Sequence, residues 1–284
     1  MTGGSPQTVA VKTRLANDEF LHEHVLKQQP VVIRDALTNW RAIGWTRDYL
    51  KSRAGSHLIT YRTQDKDASG RFGDLLDLVF DADKPAPYLR NIDVRAQLPV
   101  LVGDVTPQPV YTTTNWRSHW LMPSRWPHEV RKHLYELFVS RSGASFPFLH
   151  LDYWGMSAFF AQLHGEKEVI LFPREDAPYL YPKPENALVS KIADFDHPDY
   201  AAYPKLQLAR QFRVTLRAGD LLFNPSWWHT TKSLSTSMTL IWAYWNRHEW
   251  RNLVAQARAS VGVRGRMTLV PYLLFVGLCN QWTS

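Results

Sequence analysis

The sequence predicts a mainly β fold, in which a strand-rich core carries helices at both of its ends. Between about residues 87 and 250, short apolar or alternating runs are repeatedly interrupted by Gly and Pro, a pattern typical of short paired strands. The flanking segments instead show helix-like spacing and composition. A chain of 284 residues with 45% hydrophobic and 13% aromatic residues can bury a sizeable core, which excludes a disordered protein.

The predicted elements follow one another in a single domain over residues 1–284. Residues 1–95 are expected to form an N-terminal extension with helices at 17–27 and 73–80 and strands at 30–36, 57–63 and 87–94. Residues 96–250 are expected to form the core, with one helical stretch at 128–140 and strands joined by short hairpins at 146–152, 157–165, 167–173, 210–219, 220–228 and 237–246. Residues 251–284 form a C-terminal helical segment.

Charge, cysteine content and hydropathy limit which partners and which cellular location are expected. The net charge of +7 favours anionic partners, but the basic residues are spread along the chain, so nucleic acid binding is not expected. The single cysteine, Cys279, excludes an intrachain disulfide, and the first residues lack the apolar core of a signal peptide, so a cytoplasmic location is expected. The apolar run at 268–279 contains Pro271 and is too short to span a bilayer, so we expect a buried or subunit-facing helix and no membrane role.

A histidine and an aspartate stand two residues apart in the apolar run FPFLHLDYWG. In an extended strand, His150 and Asp152 would project from the same face of a sheet. A third ligand is available in GDLLFNPSWWHTT, where His229 stands after Pro225, at the point where a strand would open out. Two imidazoles and a carboxylate bind Fe(II) and leave coordination positions open, although zinc accepts the same set. The alternative is a hydrogen-bonded pair on a strand together with an ordinary histidine.

A second His-x-Asp sequence shows that this spacing alone is not specific. His197 and Asp199 flank Pro198 in a segment of turn-forming residues, with no strand on which to align them. This segment is predicted to be a loop.

Lys167 stands in step with apolar residues that should face the inside of the core. In an extended strand it shares a face with Val169 and Leu171. A buried ammonium group is costly unless an anion binds it, so this position indicates a fixed carboxylate inside the core. The alternative is an exposed hairpin lysine paired with Glu166 or Glu168.

Four segments carry a family resemblance, and they occur in the order LHLD, FFAQLHGEKEVILFP, DFDHPDYAAYP and GDLLFNPSWWHTTKSL. Over about residues 28–247, the chain resembles the JmjC or cupin-8 type of Fe(II)- and 2-oxoglutarate-dependent oxygenases. It is most similar to the factor-inhibiting-HIF asparaginyl hydroxylase branch and its bacterial relatives. The resemblance implies a double-stranded β-helix (jelly-roll or cupin) core that uses Fe(II), 2-oxoglutarate and O2.

The resemblance also implies roles for particular residues. The iron-binding catalytic residues would be His150, Asp152 and His229. Lys167 would bind the distal carboxylate of 2-oxoglutarate, and Tyr88 would reach the same carboxylate. Trp245 would line the site, although Tyr88 and Trp245 are equally understandable as core aromatics.

The chain departs from this branch around the site. The residues just before the first histidine are Phe146 to Leu149, where relatives carry a Thr-Pro pair, so a hydroxyl contact to 2-oxoglutarate is missing or has moved to Ser145. Ala158 and Ala243 occupy positions where relatives carry asparagines. Substrate choice and the contacts around the metal therefore do not carry over.

The resemblance favours hydroxylation of an unactivated C–H bond in a peptide or protein side chain, an amino acid or a small natural product. N-methyl demethylation by the same oxidant, with release of formaldehyde, is the alternative enzymatic function. A non-catalytic cupin-like binding module is the alternative of another class, which a charged trio inside a barrel disfavours. The C-terminal helices would form either a homodimer face or a buried tail through Leu269, Leu273, Val276 and Leu278.

Overall fold

The computed structural model describes residues 6–63, 66–81, 83–113, 115–116, 120–121 and 135–282. Its strands are β1 (Gln7–Thr8), β2 (Ala10–Thr13), β3 (Val31–Arg34), β4 (Leu58–Arg62), β5 (Asp67–Arg71), β6 (Leu89–Asp93), β7 (Glu136–Ser140), β8 (Ser157–His164), β9 (Glu166–Phe172), β10 (Pro182–Lys183), β11 (Asn186–Ser190), β12 (Phe212–Arg217), β13 (Leu221–Asn224), β14 (Trp228–Ser233) and β15 (Ser237–Tyr244). Its α-helices are α1 (Asn17–Glu19), which continues as a π-helix over Phe20–Val25, α2 (Arg47–Ala54), α3 (Phe72–Phe80), α4 (Val94–Gln97), α5 (Arg247–Ser260) and α6 (Val263–Trp282).

Two large sheets form the core. One contains four strands in the order β1-β12-β9-β14, and the other contains nine in the order β2-β3-β13-β8-β15-β7-β6-β4-β5. Residues from both sheets meet in one apolar cluster, which includes Val169 and Leu171 of β9, Phe160 of β8 and Leu222 of β13. The fold is therefore mainly β with a jelly-roll core, and the predicted fold class is confirmed.

Both faces of β8 are covered, which explains why its sequence is apolar almost throughout. Phe160 packs in the cluster between the sheets, whereas Phe159 and Ala161 pack in a second cluster. That second cluster includes Phe20 and Trp45, so the N-terminal helical segments cover the outer face of the large sheet. A strand that is buried on both faces needs no polar alternation.

The link between β8 and β9 crosses from one sheet to the other, so the hairpin predicted there is wrong. β8 pairs with β13 and β15, while β9 pairs with β12 and β14. Gly165 makes the crossing with a φ of +67°, and a Cβ atom on it would lie 2.0 Å from the carbonyl oxygen of Thr236. Glycine is required at such a close approach.

The helix predicted over 128–140 is wrong at its C-terminal end, where the chain forms β7. Leu137 and Val139 pack in the second cluster, so the side chains follow the two-residue period of a strand. β7 lies between β6 and β15 in the large sheet. Residues 128–134 of the predicted helix lie outside the described residues.

The segment 146–152 is extended but is held by isolated bridges rather than as the predicted strand. His150 bridges to Val189 on one side and to His229 on the other. Pro147 has no amide hydrogen for a sheet ladder, which interrupts regular pairing. His229 lies inside β14, opposite Leu171 of β9, and not at the open end of β13.

The two ends of the chain pack on the core in different ways. β2 and β3, from the predicted N-terminal extension, join the large sheet beside β13, and the predicted division at residues 95 and 250 stays a prediction. Leu269, Leu273 and Val276 of α6 are buried in a cluster with residues of α5, whereas Leu278 is exposed. Within the described residues, no helix has both the length and the apolarity that a membrane span requires.

Candidate metal centre

His150, Asp152 and His229 converge at one end of the barrel. Each offers one ligand atom, and these three atoms all lie within 4.8 Å of one another. The N–H of His150 donates to the carbonyl of His229 (3.0 Å), and the N–H of His229 donates back to His150 (2.8 Å). Their ring centroids are 4.2 Å apart, and Asp152 Oδ1 lies 3.7 Å from His150 Nε2. Two backbone hydrogen bonds thus lock the pair of imidazoles in register.

The ring of His229 is oriented by the Trp227 carbonyl, which belongs to a turn held by a buried asparagine, Asn224, that the sequence did not single out. His229 Nδ1 lies 3.0 Å from the Trp227 carbonyl oxygen and 3.0 Å from Asn224 Nδ2. Asn224 Oδ1 accepts from the Trp227 N–H (3.1 Å), which fixes this turn. When Nδ1–H donates to the Trp227 carbonyl, Nε2 presents its lone pair to the other two ligands, as metal-binding histidines require.

Aromatic rings hold His150. Phe146 stacks on its imidazole with centroids 4.7 Å apart, and Phe148 meets it edge-on at 5.4 Å. Burial and the neighbouring His229 imidazole lower the pKa of His150 well below its usual value, so the ring is neutral near pH 7. A neutral imidazole is the form that binds a metal ion.

The donor set fits a divalent cation. Burial raises the pKa of Asp152, and in the described part of the chain neither a lysine nor an arginine forms an ion pair with its carboxylate. A carboxylate beside two imidazoles in a partly dry site is compensated by a metal ion. Fe(II) and zinc both accept these three donors.

Lys167 is buried inside the same barrel, with 1% of its surface exposed. Across the described residues, its Nζ has no carboxylate within ion-pair distance, and it lies 5.7 Å from the centroid of the Tyr88 ring. Burial lowers the pKa of Lys167 to about 7. Glu166 and Glu168 pair instead with arginines of β12, at 3.4 and 3.0 Å, so the alternative of an exposed hairpin ion pair is wrong.

Hydroxyl groups lie near Lys167. The Tyr88 hydroxyl has the side chains of Thr231 and Ser140 as hydrogen-bonding neighbours, and burial raises the pKa of Tyr88 to about 12. Ser140 Oγ lies 2.6 Å from the Oγ of Ser233, which is opposite Lys167 in the pairing of β14 with β9. Tyr88 and Lys167, which the sequence placed at the same carboxylate, therefore do lie together.

Ser145 and Thr231 are two hydroxyl residues near the candidate site that differ in exposure. Ser145 is exposed and bridges to Lys232. Thr231 stands two residues after His229 in β14, so both side chains project from the same face of that strand. This two-residue spacing is the sequence signal that could have identified Thr231.

Comparisons with known proteins agree with this architecture. A family model described as a cupin-like domain matches residues 16–252. The chain belongs to this cupin-like family. It is 26% identical over 262 residues to tRNA wybutosine-synthesizing protein 5 of Gallus gallus, which covers 81% of the chain and 75% of that protein. It is 29% identical over 171 residues to the Homo sapiens protein of that name, which covers 55% of the chain and 47% of that protein.

A second relative covers a shorter part of this cupin-like chain. HSPB1-associated protein 1 of Mus musculus is 42% identical over 103 residues, which is 34% of the chain and 21% of that protein. The chain thus spans three quarters of the chicken relative but about one fifth of the mouse one.

A cavity of about 760 Å³ adjoins the candidate metal centre of this cupin-like chain. His150 and Asp152 line it, together with the rings of Phe146 and Phe148. Ala158 and Ala243 also line it, so the two positions that lack the relatives' asparagines leave open volume next to the ligands. The cavity is large enough for an amino acid side chain or a small molecule.

Trp245 occupies a different place from the other predicted site residues. It is buried among the C-terminal helices, where its ring meets that of Trp250 at 5.9 Å in an edge-on contact. Met156 belongs to the same cluster and also lines the cavity, so Trp245 lies one layer behind the cavity wall. A direct role of Trp245 at the site stays a prediction.

Proposed function

We propose that the chain is an Fe(II)- and 2-oxoglutarate-dependent oxygenase that hydroxylates an unactivated C–H bond. The observation that carries this proposal is the buried Lys167, which has no ion-pair partner in the described chain and lies in the barrel that holds the two histidines and the aspartate. The triad alone would fit zinc equally well. A buried ammonium group in addition calls for an anion with a carboxylate at its far end.

Each residue has a definite task in this proposal. His150, Asp152 and His229 would hold the iron, which supplies the reaction with oxidising power from O2. Lys167 would pair with the distal carboxylate of 2-oxoglutarate, and the neutral hydroxyl of Tyr88 would donate a hydrogen bond to it. The rings beside His150 keep bulk water away from that face of the site.

The proposal includes several classes of substrate. Peptide or protein side chains, amino acids and small natural products all fit a cavity of this size. Because one set of relatives is named for tRNA wybutosine synthesis, tRNA belongs in the panel of test substrates, although the dispersed basic residues do not favour it. Membership of the factor-inhibiting-HIF branch, a cytoplasmic location and a homodimer stay predictions.

The first experiment measures succinate formation from 2-oxoglutarate by the purified chain with and without Fe(II). Succinate should require iron, and Asp152→Ala should abolish both succinate formation and high-affinity binding of ferrous ion. The matched control is Asp199→Ala, which removes the aspartate of the second His-x-Asp sequence in an exposed loop. Succinate formation that persists in Asp152→Ala, or that needs no iron, would contradict the assignment.

Products distinguish the reaction types. A mass gain of one oxygen atom on a member of the substrate panel favours hydroxylation, whereas formaldehyde released from an N-methylated peptide favours demethylation. Metal binding with no 2-oxoglutarate consumption under any of these conditions would favour the non-catalytic binding module.

A further inference from the structure

Arg90 is a second buried cation in the same barrel. It lies on β6, two residues after Tyr88, with 3% of its surface exposed, and it lines the cavity next to the candidate metal centre. Its guanidinium carbon lies 5.1 Å from the centroid of the Phe146 ring, on which the His150 imidazole also stacks. One aromatic ring therefore separates Arg90 from a proposed iron ligand.

The guanidinium of Arg90 has no acidic partner in the described chain. It donates to the Thr63 carbonyl, which occupies one of its five N–H groups. Burial lowers the pKa of Arg90, which reflects the cost of keeping this charge away from water. Removing a guanidinium from water without a counter-charge is unfavourable, so an anion that enters the cavity would be favoured there.

Apart from the candidate metal ligands, the other charged groups of the cavity wall have hydrogen-bond or ion-pair partners. Arg62, opposite Arg90 in the pairing of β4 with β6, forms an ion pair with Asp67 at 3.1 Å. Glu136 accepts a hydrogen bond from the Asn91 side chain (3.1 Å). Asp93 accepts from the N–H of Ala96 at the start of α4 (3.0 Å). Of the two described cations on this wall, Arg62 thus has a carboxylate partner and Arg90 has none.

We propose that Arg90 binds an anionic group of the substrate, a carboxylate or a phosphate, and so selects acidic substrates for the site. This inference rests on the proposed oxygenase function for the reaction itself, but not for the binding of the anion. Lys167 takes the distal carboxylate of the cosubstrate, so Arg90 is left for the substrate. The planar guanidinium suits bidentate recognition of either anion.

The test compares binding of matched probes to the full chain by isothermal titration calorimetry, with and without 2-oxoglutarate. The α-amides of N-acetyl-L-glutamate and N-acetyl-L-glutamine are similar in size and only the first carries a carboxylate, and the α-amide of N-acetyl-O-phospho-L-serine supplies the phosphate arm. At least one anionic probe should bind tenfold or more tightly than the glutamine probe. That preference should be lost in Arg90→Gln, partly retained in Arg90→Lys and unchanged in Arg62→Gln. The arm that shows the preference identifies the anion.

Several outcomes would overturn the inference. One is a wild-type chain that binds the glutamine probe as tightly as both anions, and another is an Arg90→Gln variant that keeps the preference. Competition between the probes and 2-oxoglutarate, with weaker 2-oxoglutarate binding in Arg90→Gln, would assign Arg90 to the cosubstrate instead. Should Arg90→Gln fail to fold, Arg90→Lys and the thermal stabilisation of the wild-type chain by each probe give the same comparison.

These measurements separate this inference from the proposed function. Probe binding requires no turnover, so a chain that binds anions through Arg90 but forms no succinate would defeat the oxygenase proposal alone. A chain that forms succinate but shows no Arg90-dependent preference would defeat this inference alone.

Discussion

Replacing Lys167 with methionine should raise the stability of the free protein while weakening its affinity for 2-oxoglutarate. Burial lowers the pKa of Lys167 from 10.5 to about 7. At pH 7 this shift corresponds to a penalty of about 4 kcal/mol on the folded state, because each pKa unit is worth about 1.36 kcal/mol. Methionine has a similar volume and no charge, so the free energy of unfolding should rise by up to about 4 kcal/mol.

The sign of the pH dependence follows from the depressed pKa. Above pH 10.5 the lysine is neutral in both states and carries no penalty, and the penalty grows as the pH falls to about 7, because only the unfolded chain takes up the proton. The stability difference between Lys167→Met and the wild type should therefore grow from pH 10.5 to pH 7. Affinity for 2-oxoglutarate should fall by up to about tenfold per pH unit above pH 7 in the wild type, because the bound carboxylate needs a protonated Lys167.

Denaturant unfolding at several pH values and calorimetric titration with 2-oxoglutarate measure both effects. A charge-assisted hydrogen bond contributes about 1.5–3 kcal/mol, so Lys167→Met should bind 2-oxoglutarate about 10- to 150-fold more weakly. The control is Lys232→Met on β14, whose lysine is partly exposed and pairs with Asp196. A Lys167→Met variant that is less stable at every pH and binds 2-oxoglutarate normally would refute the reasoning.

Three other substitutions probe the surroundings of the site. Asn224→Leu should weaken metal binding about 10- to 100-fold, measured by metal titration, because the turn that carries the Trp227 carbonyl, the acceptor for His229, loses its side-chain hydrogen bonds; unchanged affinity would contradict that role. Burial raises the pKa of Glu249 from 4.5 to about 8, so Glu249→Gln should stabilise the fold by about 3 kcal/mol at pH 7 and by little at pH 4.5 in denaturant unfolding. Leu278→Glu should convert a dimer to a monomer in light scattering if α6 forms the predicted homodimer face, whereas Leu58→Glu, at a more exposed leucine on β4, should not.

The candidate centre could be predicted although part of its local structure could not. The two-residue period of an extended chain predicts that His150 and Asp152 share one face. This prediction holds although the segment is joined to its neighbours only by bridges at His150. His229 was assigned to the end of one strand and lies inside the next. The three ligands still meet, although the strand assignments were partly wrong, because side chains alternate along any extended backbone, whichever strand supplies its hydrogen bonds.

Some residues have a role only because of contacts with residues that are distant in the sequence, and their local sequence gave no usable signal. Asn224 lies in a short apolar strand, and its contact with His229 depends on the turn that follows that strand. Arg90 stands between Leu89 and Asn91 in β6, where no local pattern distinguishes a buried arginine from an exposed one. Its burial arises because β6 lies between β4 and β7, and the strand order of a sheet is not encoded locally.

The charges inside the barrel support different anionic partners for the two buried cations, Lys167 and Arg90. Lys167 and Arg90 together with a divalent metal ion would bring four positive charges, against the negative charges of Asp152 and of Asp93 and Glu136 on the cavity wall. A 2-oxoglutarate dianion would pair with the metal ion and with Lys167, which leaves the buried Arg90 without an anion in contact. Since uncompensated buried charge is costly, the complete complex should form most readily with a substrate that carries its own negative group.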